Sequence, residues 1–373
     1  MRKNIVFLVV FTIVVVINVL DVNGQVDKDI YNDISKEIDY IEIQNVLDEN
    51  SQCKKIEFKS EVEKVVLSKN IDFKEFGINI VEEVGEKWES NKKDIIKIFS
   101  ITVIIAIFLN FIKTMECEYV AQTSFMMAYM VLLIVVIDVF KEMYNIGFGT
   151  AGVIRKFLIA IIPTYSVATF IGNGINSATS FNQLSMIIIF IIESLFVKIL
   201  FPMINMYMII SIINNMCNVN GMKKLTELIE LVIKWGTKGA IIFVTSLNTV
   251  QKMLSVTKDE TNRKLLLSGI ENIPYVGNGI EVINDTVFQS AHLIKNAIGV
   301  VGIVSIIILC AIPIINIIIY IFFYNILVAI IEPISDERVV NCIKVIADGG
   351  KYILEVLVTT IGMFFITIAL MSL

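Results

Sequence analysis

The sequence has a single histidine and five cysteines among 373 residues, which leaves little material for a metal centre. A zinc site needs three or four converging ligands, and the sequence contains no H-E-x-x-H pair. We predict that the histidine, His292, lies exposed on the polar face of a helix. The cysteines are scattered without a C-x-x-C motif, so no disulfide framework is predicted. They are Cys53, Cys117, Cys217, Cys310 and Cys342.

Nucleotide-binding motifs are also missing. The sequence contains no G-x-x-x-x-G-K-S/T segment, which excludes ATP binding through a P-loop. Gly-Asn-Gly occurs at 172–174 and again at 277–279, but each lacks the rest of a dinucleotide fingerprint. Both are interpreted as turns or helix ends. We therefore predict a protein that is not an enzyme and that binds no cofactor or metal.

Charged residues make up only 18% of the chain, and they are unevenly placed. Residues 25–94 hold 11 Lys and 18 Asp plus Glu, a net charge of −7. The remainder must therefore carry +2 to give the whole-chain charge of −5. An acidic segment on a nearly neutral body lacks the basic surface that nucleic-acid binding requires, so no nucleic-acid partner is predicted.

Long hydrophobic runs dominate the chain. Hydrophobic residues make up 56% of it and the mean hydropathy is +0.77, which excludes an ordinary soluble domain. Apolar runs of about 20 residues, each long enough to cross the lipid bilayer, recur from residue 95 onward. We predict an all-α polytopic membrane protein with about seven to nine transmembrane or re-entrant helices. The predicted spans are 95–112, 120–140, 153–171, 184–219, 225–250, 297–316, 317–331 and 352–371.

Two of these spans are ambiguous. The run at 184–219 is too long for one ordinary span, and Pro202 is predicted to divide it into a hairpin or a strongly kinked pair. The helix at 225–250 is less hydrophobic and either crosses the membrane or lies at its interface. Lysine and arginine are spread too evenly over successive loops to determine the orientation.

The first 24 residues are predicted to be a signal peptide, with Arg2 and Lys3 ahead of an apolar core. An uncleaved anchor is the alternative, and either one places residues 25–94 outside the cytoplasm. This segment contains two apolar stripes with helical spacing. They are Ile30, Ile34, Ile38 and Ile41, and Phe73, Phe76, Ile80, Val84 and Trp88. Such a short, charged segment builds only a small core, so we expect its helices to pack on a partner or to lie on the membrane surface.

The predicted organisation has five parts. A signal peptide (1–24) precedes an acidic extracytoplasmic helical segment (25–94) and a first membrane helix group (95–250). A polar segment with a Pro/Gly break and an amphipathic stretch (251–295) then precedes the last membrane helix group (296–373).

The polar segment supplies the first candidate gate residues. Pro274 with Gly277 and Gly279 is predicted to break the helix before an amphipathic stretch at 280–295, which includes Asp285. Irregular backbone is tolerated at membrane depth only where it is buried in protein or lines water. The amphipathic stretch therefore either lies at the interface or re-enters the membrane as part of a conduit.

The span that follows begins with Asn296, Gly299 and Gly302, which are further structural or gate candidates. Two glycines three residues apart permit close helix contact. This contact lies either inside the chain, or between subunits or along the lining of a channel. Glu193 and Lys198 are candidates because intramembrane charges are costly. They lie five residues apart and are not predicted to face each other. In the functional interpretation these two residues line a pore or an ion pathway. In the structural interpretation they pair with groups on other helices or extend towards the membrane interface.

Four segments carry a family likeness, which is specific mainly within 230–371. They are Ile273-Pro274-Tyr275-Val276-Gly277-Asn278-Gly279-Ile280, Asp285-Thr286-Val287, residues 293–302 and residues 332–342. These segments resemble the stage III sporulation protein AE family of endospore-forming Firmicutes. The loop at 172–183 departs from the family pattern, and the N-terminal third matches it only in character.

The resemblance implies a multi-pass protein of the mother-cell membrane around the forespore. It implies partners among the stage III A operon proteins, which include a cytoplasmic ATPase and ring-forming membrane proteins. The rings in turn meet stage II sporulation protein Q. The complex resembles a specialised secretion system and supports late forespore development. We expect the chain to be an export-gate or channel subunit of this complex; a stand-alone secondary transporter and a scaffold that anchors the rings are the alternatives.

Overall fold

The computed structural model describes residues 28–50, 56–68, 85, 96–97, 99–112, 118–173, 177–217, 220–270 and 277–372. Within these ranges the chain is helical and contains no strand, which confirms the predicted all-α membrane fold. The predicted signal peptide, the second apolar stripe of the acidic segment and Pro274 lie outside the described residues.

Three short helices form an N-terminal head, and long helices form the body. The head contains α1 (Lys28–Lys36), α2 (Ile41–Asp48) and α3 (Phe58–Ser68). The body contains α4 (Phe99–Ile112), α5 (Glu118–Asn173), α6 (Ser177–Leu195), α7 (Phe201–Cys217), α8 (Lys223–Ile270), α9 (Gly277–Ile331) and α10 (Glu337–Ser372). A π-helical turn, Phe196–Leu200, joins α6 to α7, and a 3₁₀ turn, Asn220–Met222, precedes α8.

Two body helices are much longer than a bilayer is thick. α5 has 56 residues and α9 has 55, which makes each helix about 80 Å long. α5 joins the predicted spans 120–140 and 153–171, and α9 joins 297–316 and 317–331. The segment between the two spans of α5 contains no proline, so nothing in it ends the helix. The predicted segments therefore form fewer and longer helices.

Four helices of the described ranges are long and apolar enough to cross a membrane. They are Tyr119–Ile171, Gln183–Met216, Ser290–Ile331 and Glu337–Ala369. α8, which contains the less hydrophobic predicted span at 225–250, is not among them.

Pro202 lies in the first turn of α7, directly after the π-helical turn. Proline lacks an N–H group, and its ring collides with the carbonyl group four residues earlier, which here belongs to Lys198. The π-helical turn widens the backbone at that carbonyl, so the helical run continues from Gln183 to Met216. Of the two predicted alternatives, the hairpin at Pro202 is therefore wrong, and the interruption is a single π-helical turn.

α10 is the central helix of the body. It contacts α5, α6, α7, α8 and α9. Its most apolar stretch of 18 residues is 83% buried. Two adjacent glycines let neighbouring helices approach closely. A Cβ atom on Gly349 would lie 2.7 Å from Phe140 on α5, and one on Gly350 would lie 2.9 Å from Ile321 on α9.

The head packs on the body of its own chain, through α5 and α9. Gln44 on α2 organises the head: its amide donates to the carbonyl oxygen of Ile56, and its side-chain oxygen accepts from the N–H of Phe58, both at 2.9 Å. The predicted first apolar stripe is wrong at its end, because Ile34 and Ile38 are buried whereas Ile41 is 67% exposed. α1 ends at Lys36, so the turn before α2 breaks the helical phase.

Candidate functional site: a polar seam along the central helix

Polar side chains recur along one face of α10. Asp348, Tyr352, Glu355, Thr359 or Thr360, and Thr367 follow one another at spacings near three, four or a multiple of them. Residues with such spacing share one side of a helix. Most of them contact polar groups on α6, α7 or α8, and we call this set of contacts the polar seam.

The upper part of the seam, from Glu355 to Thr367 on α10, consists of hydrogen bonds between helices. The hydroxyl of Thr237 on α8 donates to Glu355 at 2.8 Å, and the amide of Asn248 on α8 donates to the hydroxyl of Thr367 at 3.0 Å. A further hydrogen bond joins Ser185 on α6 to Gln251 on α8. In the membrane such bonds each contribute on average about 0.6 kcal/mol and at most about 1.7 kcal/mol.

The lower part of the seam, around Asp348 and Tyr352 on α10, is a cluster of aromatic and charged groups. The rings of Tyr207 on α7 and Tyr352 on α10 lie edge to face, with centroids 5.0 Å apart. Glu230 on α8 accepts a hydrogen bond from Lys234, whose ammonium nitrogen lies 5.9 Å from the centre of the Tyr352 ring. On α10 itself, Lys351 donates to Asp348 at 2.7 Å.

The seam has about the height of a bilayer core. From Asp348 to Thr367 the helix rises about 28 Å at ~1.5 Å per residue, close to the ~30 Å of the hydrocarbon region. Apolar side chains surround it on the outer faces of α6 and α8. Examples are Leu184, Ile187, Ile242 and Phe243, each more than 40% exposed. A line of polar contacts therefore runs inside an apolar exterior.

Glu193 belongs to the seam, whereas Lys198 does not. Glu193 has no exposed surface, and its Oε2 atom lies 2.5 Å from the hydroxyl oxygen of Thr360. Lys198 lies on the exposed side of the π-helical turn. The two charges do not face each other, as their spacing predicts. Of two other charged residues near predicted span ends, Glu355 joins the seam and Asp138 is exposed on α5.

The predicted glycine contact lies away from the seam, between α9, α5 and α10. A Cβ atom on Gly299 would lie 2.9 Å from Ile368, and one on Gly302 would lie 2.6 Å from Ile161. Both glycines therefore permit close packing within the chain. Asn296 is buried nearby, and its side-chain oxygen has no hydrogen-bond partner.

The remaining gate candidates lie at the start of α9. Gly277 is its first residue, and Gly279 and Asp285 lie within it, so the amphipathic stretch and the following span form one helix. Whether this stretch rests at the interface or re-enters the membrane stays a prediction. Among the described residues, no group of three or more His, Cys, Asp or Glu side chains could hold a metal ion.

Sequence reasoning missed most of the seam. Single threonines and asparagines are ordinary in membrane helices, so the sequence does not mark the seam residues Thr237, Asn248, Thr360 and Thr367. The available signal was the repeated polar spacing between 348 and 367. The side chains on α6 and α8 that contact α10 do not have a regular spacing.

Comparison with known proteins agrees with the family likeness of the sequence. Residues 56–373 match the family described as stage III sporulation protein AE. The stage III sporulation protein AE of Bacillus subtilis (strain 168) is 24% identical over 280 residues, which cover 73% of this chain and 69% of that protein. No solved structure matches the chain. The chain belongs to the stage III sporulation protein AE family, and its role is in sporulation.

Proposed function

We propose that the chain is an export-gate or channel subunit of the secretion complex that links the mother cell and the forespore during endospore formation. The observation that carries this proposal is the polar seam, a line of polar side chains about as long as the bilayer core is thick. Polar groups within membrane helices face the bundle interior or an aqueous pathway. Separation of α10 from α6 and α8 along the seam creates a polar path without exposing charges to lipid.

The proposed setting is the mother-cell membrane around the forespore. The proposed partners are the stage III A operon proteins, namely the cytoplasmic ATPase and the ring-forming membrane proteins, and stage II sporulation protein Q through the complex. Because the sequence contains no P-loop, the ATPase is the partner that supplies energy. The acidic head is the part that we expect the extracytoplasmic partners to reach.

Substitution of seam threonines tests this function in sporulating cells. The triple variant Thr237→Val, Thr360→Val and Thr367→Val removes three hydroxyls that bond between helices. We expect the complex to assemble but late forespore gene expression to be lost, because the path is no longer polar.

A matched triple variant controls for the threonine-to-valine change itself. The hydroxyls of Thr150, Thr169 and Thr245 each donate to a carbonyl group of their own helix. Valine at these positions should leave late gene expression intact. Normal expression in the seam variant would contradict the proposal, and loss of assembly would make the seam a packing device instead.

A further inference from the structure

Glu193 occupies an unusual position for an ionisable group. It is fully buried where α6 packs on α10, and one of its two carboxyl oxygens, Oε1, has no hydrogen-bond partner. A buried carboxylate without partners is strongly unfavourable, so such groups are paired or become neutral. Glu193 forms no ion pair among the described residues. Arg155 is half-buried on α5, a helix that packs against α6, and its charge acts on Glu193.

The hydrogen bonds around Thr360 are all satisfied when Glu193 carries a proton. The hydroxyl oxygen of Thr360 is 2.5 Å from Oε2 of Glu193 and 3.1 Å from the carbonyl oxygen of Val356. A hydroxyl group has one hydrogen and cannot donate to both oxygens. If it donates to Val356, as threonines in helices commonly do, the short contact requires a proton on Oε2 that is donated to Thr360. The neutral acid satisfies both contacts and leaves no uncompensated charge.

We propose that Glu193 is a proton-binding site of the membrane bundle, occupied in the closed arrangement of α6 and α10. When Glu193 loses its proton to water entering the seam, the carboxylate exchanges the Thr360 hydroxyl for the guanidinium of Arg155. The contact between α6 and α10 then loses its central hydrogen bond. Proton occupancy thus sets whether this part of the seam is closed.

The other charged groups on the surrounding helices have partners or lie elsewhere. Glu355 on α10 accepts the hydrogen bond of Thr237, and Lys234 on α8 pairs with Glu230. Lys238 on α8 and Lys198, next to α6, are exposed. Arg155 is therefore the cation that we assign as the alternative partner of Glu193.

Infrared spectroscopy of the full chain in lipid nanodiscs tests the proposal directly. A protonated carboxyl group has a C=O stretching band distinct from that of a carboxylate. We expect the spectrum of the wild type minus that of Glu193→Gln to contain the acid band at low pH and the carboxylate band at high pH. Glutamine keeps the size of the side chain and donates to Thr360, so this variant should fold normally.

Two further variants separate proton binding from simple packing. In Thr360→Val the acid band should change position, because the hydroxyl that accepts from Oε2 is gone. Arg155→Gln should reduce the conversion to carboxylate over the same pH range, because the alternative partner is removed. A Glu193 that stays neutral at every pH would show the first effect but not the second.

The outcomes are distinct. A carboxylate band at every pH would overturn proton binding, and an acid band that never converts would overturn the exchange with Arg155. These spectra need no partner proteins, so they are independent of the conduit function. In cells, Glu193→Gln should assemble but fail in late forespore development; normal development would show that the proton site is not used.

Discussion

Thr164 on α5 donates a hydrogen bond of 2.8 Å to the backbone carbonyl of Asp39, in the turn between α1 and α2. This bond connects the acidic head to the helical body across 125 positions of sequence. A salt bridge lies nearby, between Lys156 and Glu49 at 2.7 Å. Both of its side chains are more than half exposed, so the salt bridge contributes little to stability. The head is therefore held by the Thr164 bond and by apolar contacts.

Removing the Thr164 hydroxyl should loosen the head. In Thr164→Val the carbonyl oxygen of Asp39, which belongs to an exposed residue, loses this partner, at a cost of about 0.5–1.5 kcal/mol. We expect faster proteolysis of the head under native conditions, measured on the purified protein in nanodiscs.

Thr169→Val is the matched control for this experiment. Thr169 lies on the same helix and is equally buried, but its hydroxyl donates to Tyr165 in its own helix. Its head should be cleaved at the wild-type rate. Equal cleavage of the Thr164 and Thr169 variants would show that the Asp39 bond does not hold the head.

Three glycines of α5 should respond differently to alanine. A Cβ atom on Gly147 would lie 2.2 Å from the Ile353 side chain of α10, whereas Gly149 and Gly152 have nothing within 4 Å. Gly147→Ala should destabilise the bundle by about 1–3 kcal/mol through overpacking. Gly149→Ala and Gly152→Ala should be neutral or stabilising by up to about 1 kcal/mol, because alanine favours helix.

Reversible unfolding in mixed micelles measures these differences. In the background Ile353→Ala, which removes the colliding methyl group, Gly147→Ala should cost clearly less. The same cost in both backgrounds would place the strain elsewhere than at Ile353.

The glycine pair of α9 should behave as a packing contact. Leucine at Gly302 meets Ile161 and Phe364, and leucine at Gly299 meets Ile368 and Tyr165. We expect Gly299→Leu and Gly302→Leu to lose complex assembly and late sporulation together, as measured by co-purification and spore counts. Normal assembly with failed sporulation would instead assign these glycines to a gate.

Sequence patterns predicted the helical class, the membrane character and the shared apolar face of Ile34 and Ile38, because hydropathy and helical period are local properties. They did not predict that α5 joins two spans. Each half is long enough to cross a bilayer alone, and contacts such as Gly147 with Ile353 link residues far apart in the chain. The seam was visible only in part, since the spacing on α10 is local but its partners Thr237 and Asn248 depend on how α8 packs.

The seam hydrogen bonds should be weak individually. For Thr237 and Glu355 we expect a coupling energy of about 0.6–1.7 kcal/mol from a double-mutant cycle with Thr237→Val and Glu355→Met, because methionine has a similar length but no oxygen that accepts the bond. Such a value holds α8 against α10 while permitting separation. A coupling energy near zero would show that this contact does not join the two helices, and a value well above the range would make opening there too costly.

Cysteine labelling in sporulating cells tests the conduit most directly. Single cysteines replace Ser185, Thr237 or Asn248 in the seam, or Ile187 or Ile242 on the outer faces, in a chain whose native cysteines are serine. A membrane-impermeant maleimide should label the seam positions when the whole complex is present and leave the outer positions unlabelled, because a thiol facing lipid is neither solvated nor ionised. Seam positions that stay protected in an assembled, functional complex would contradict a polar path along α10.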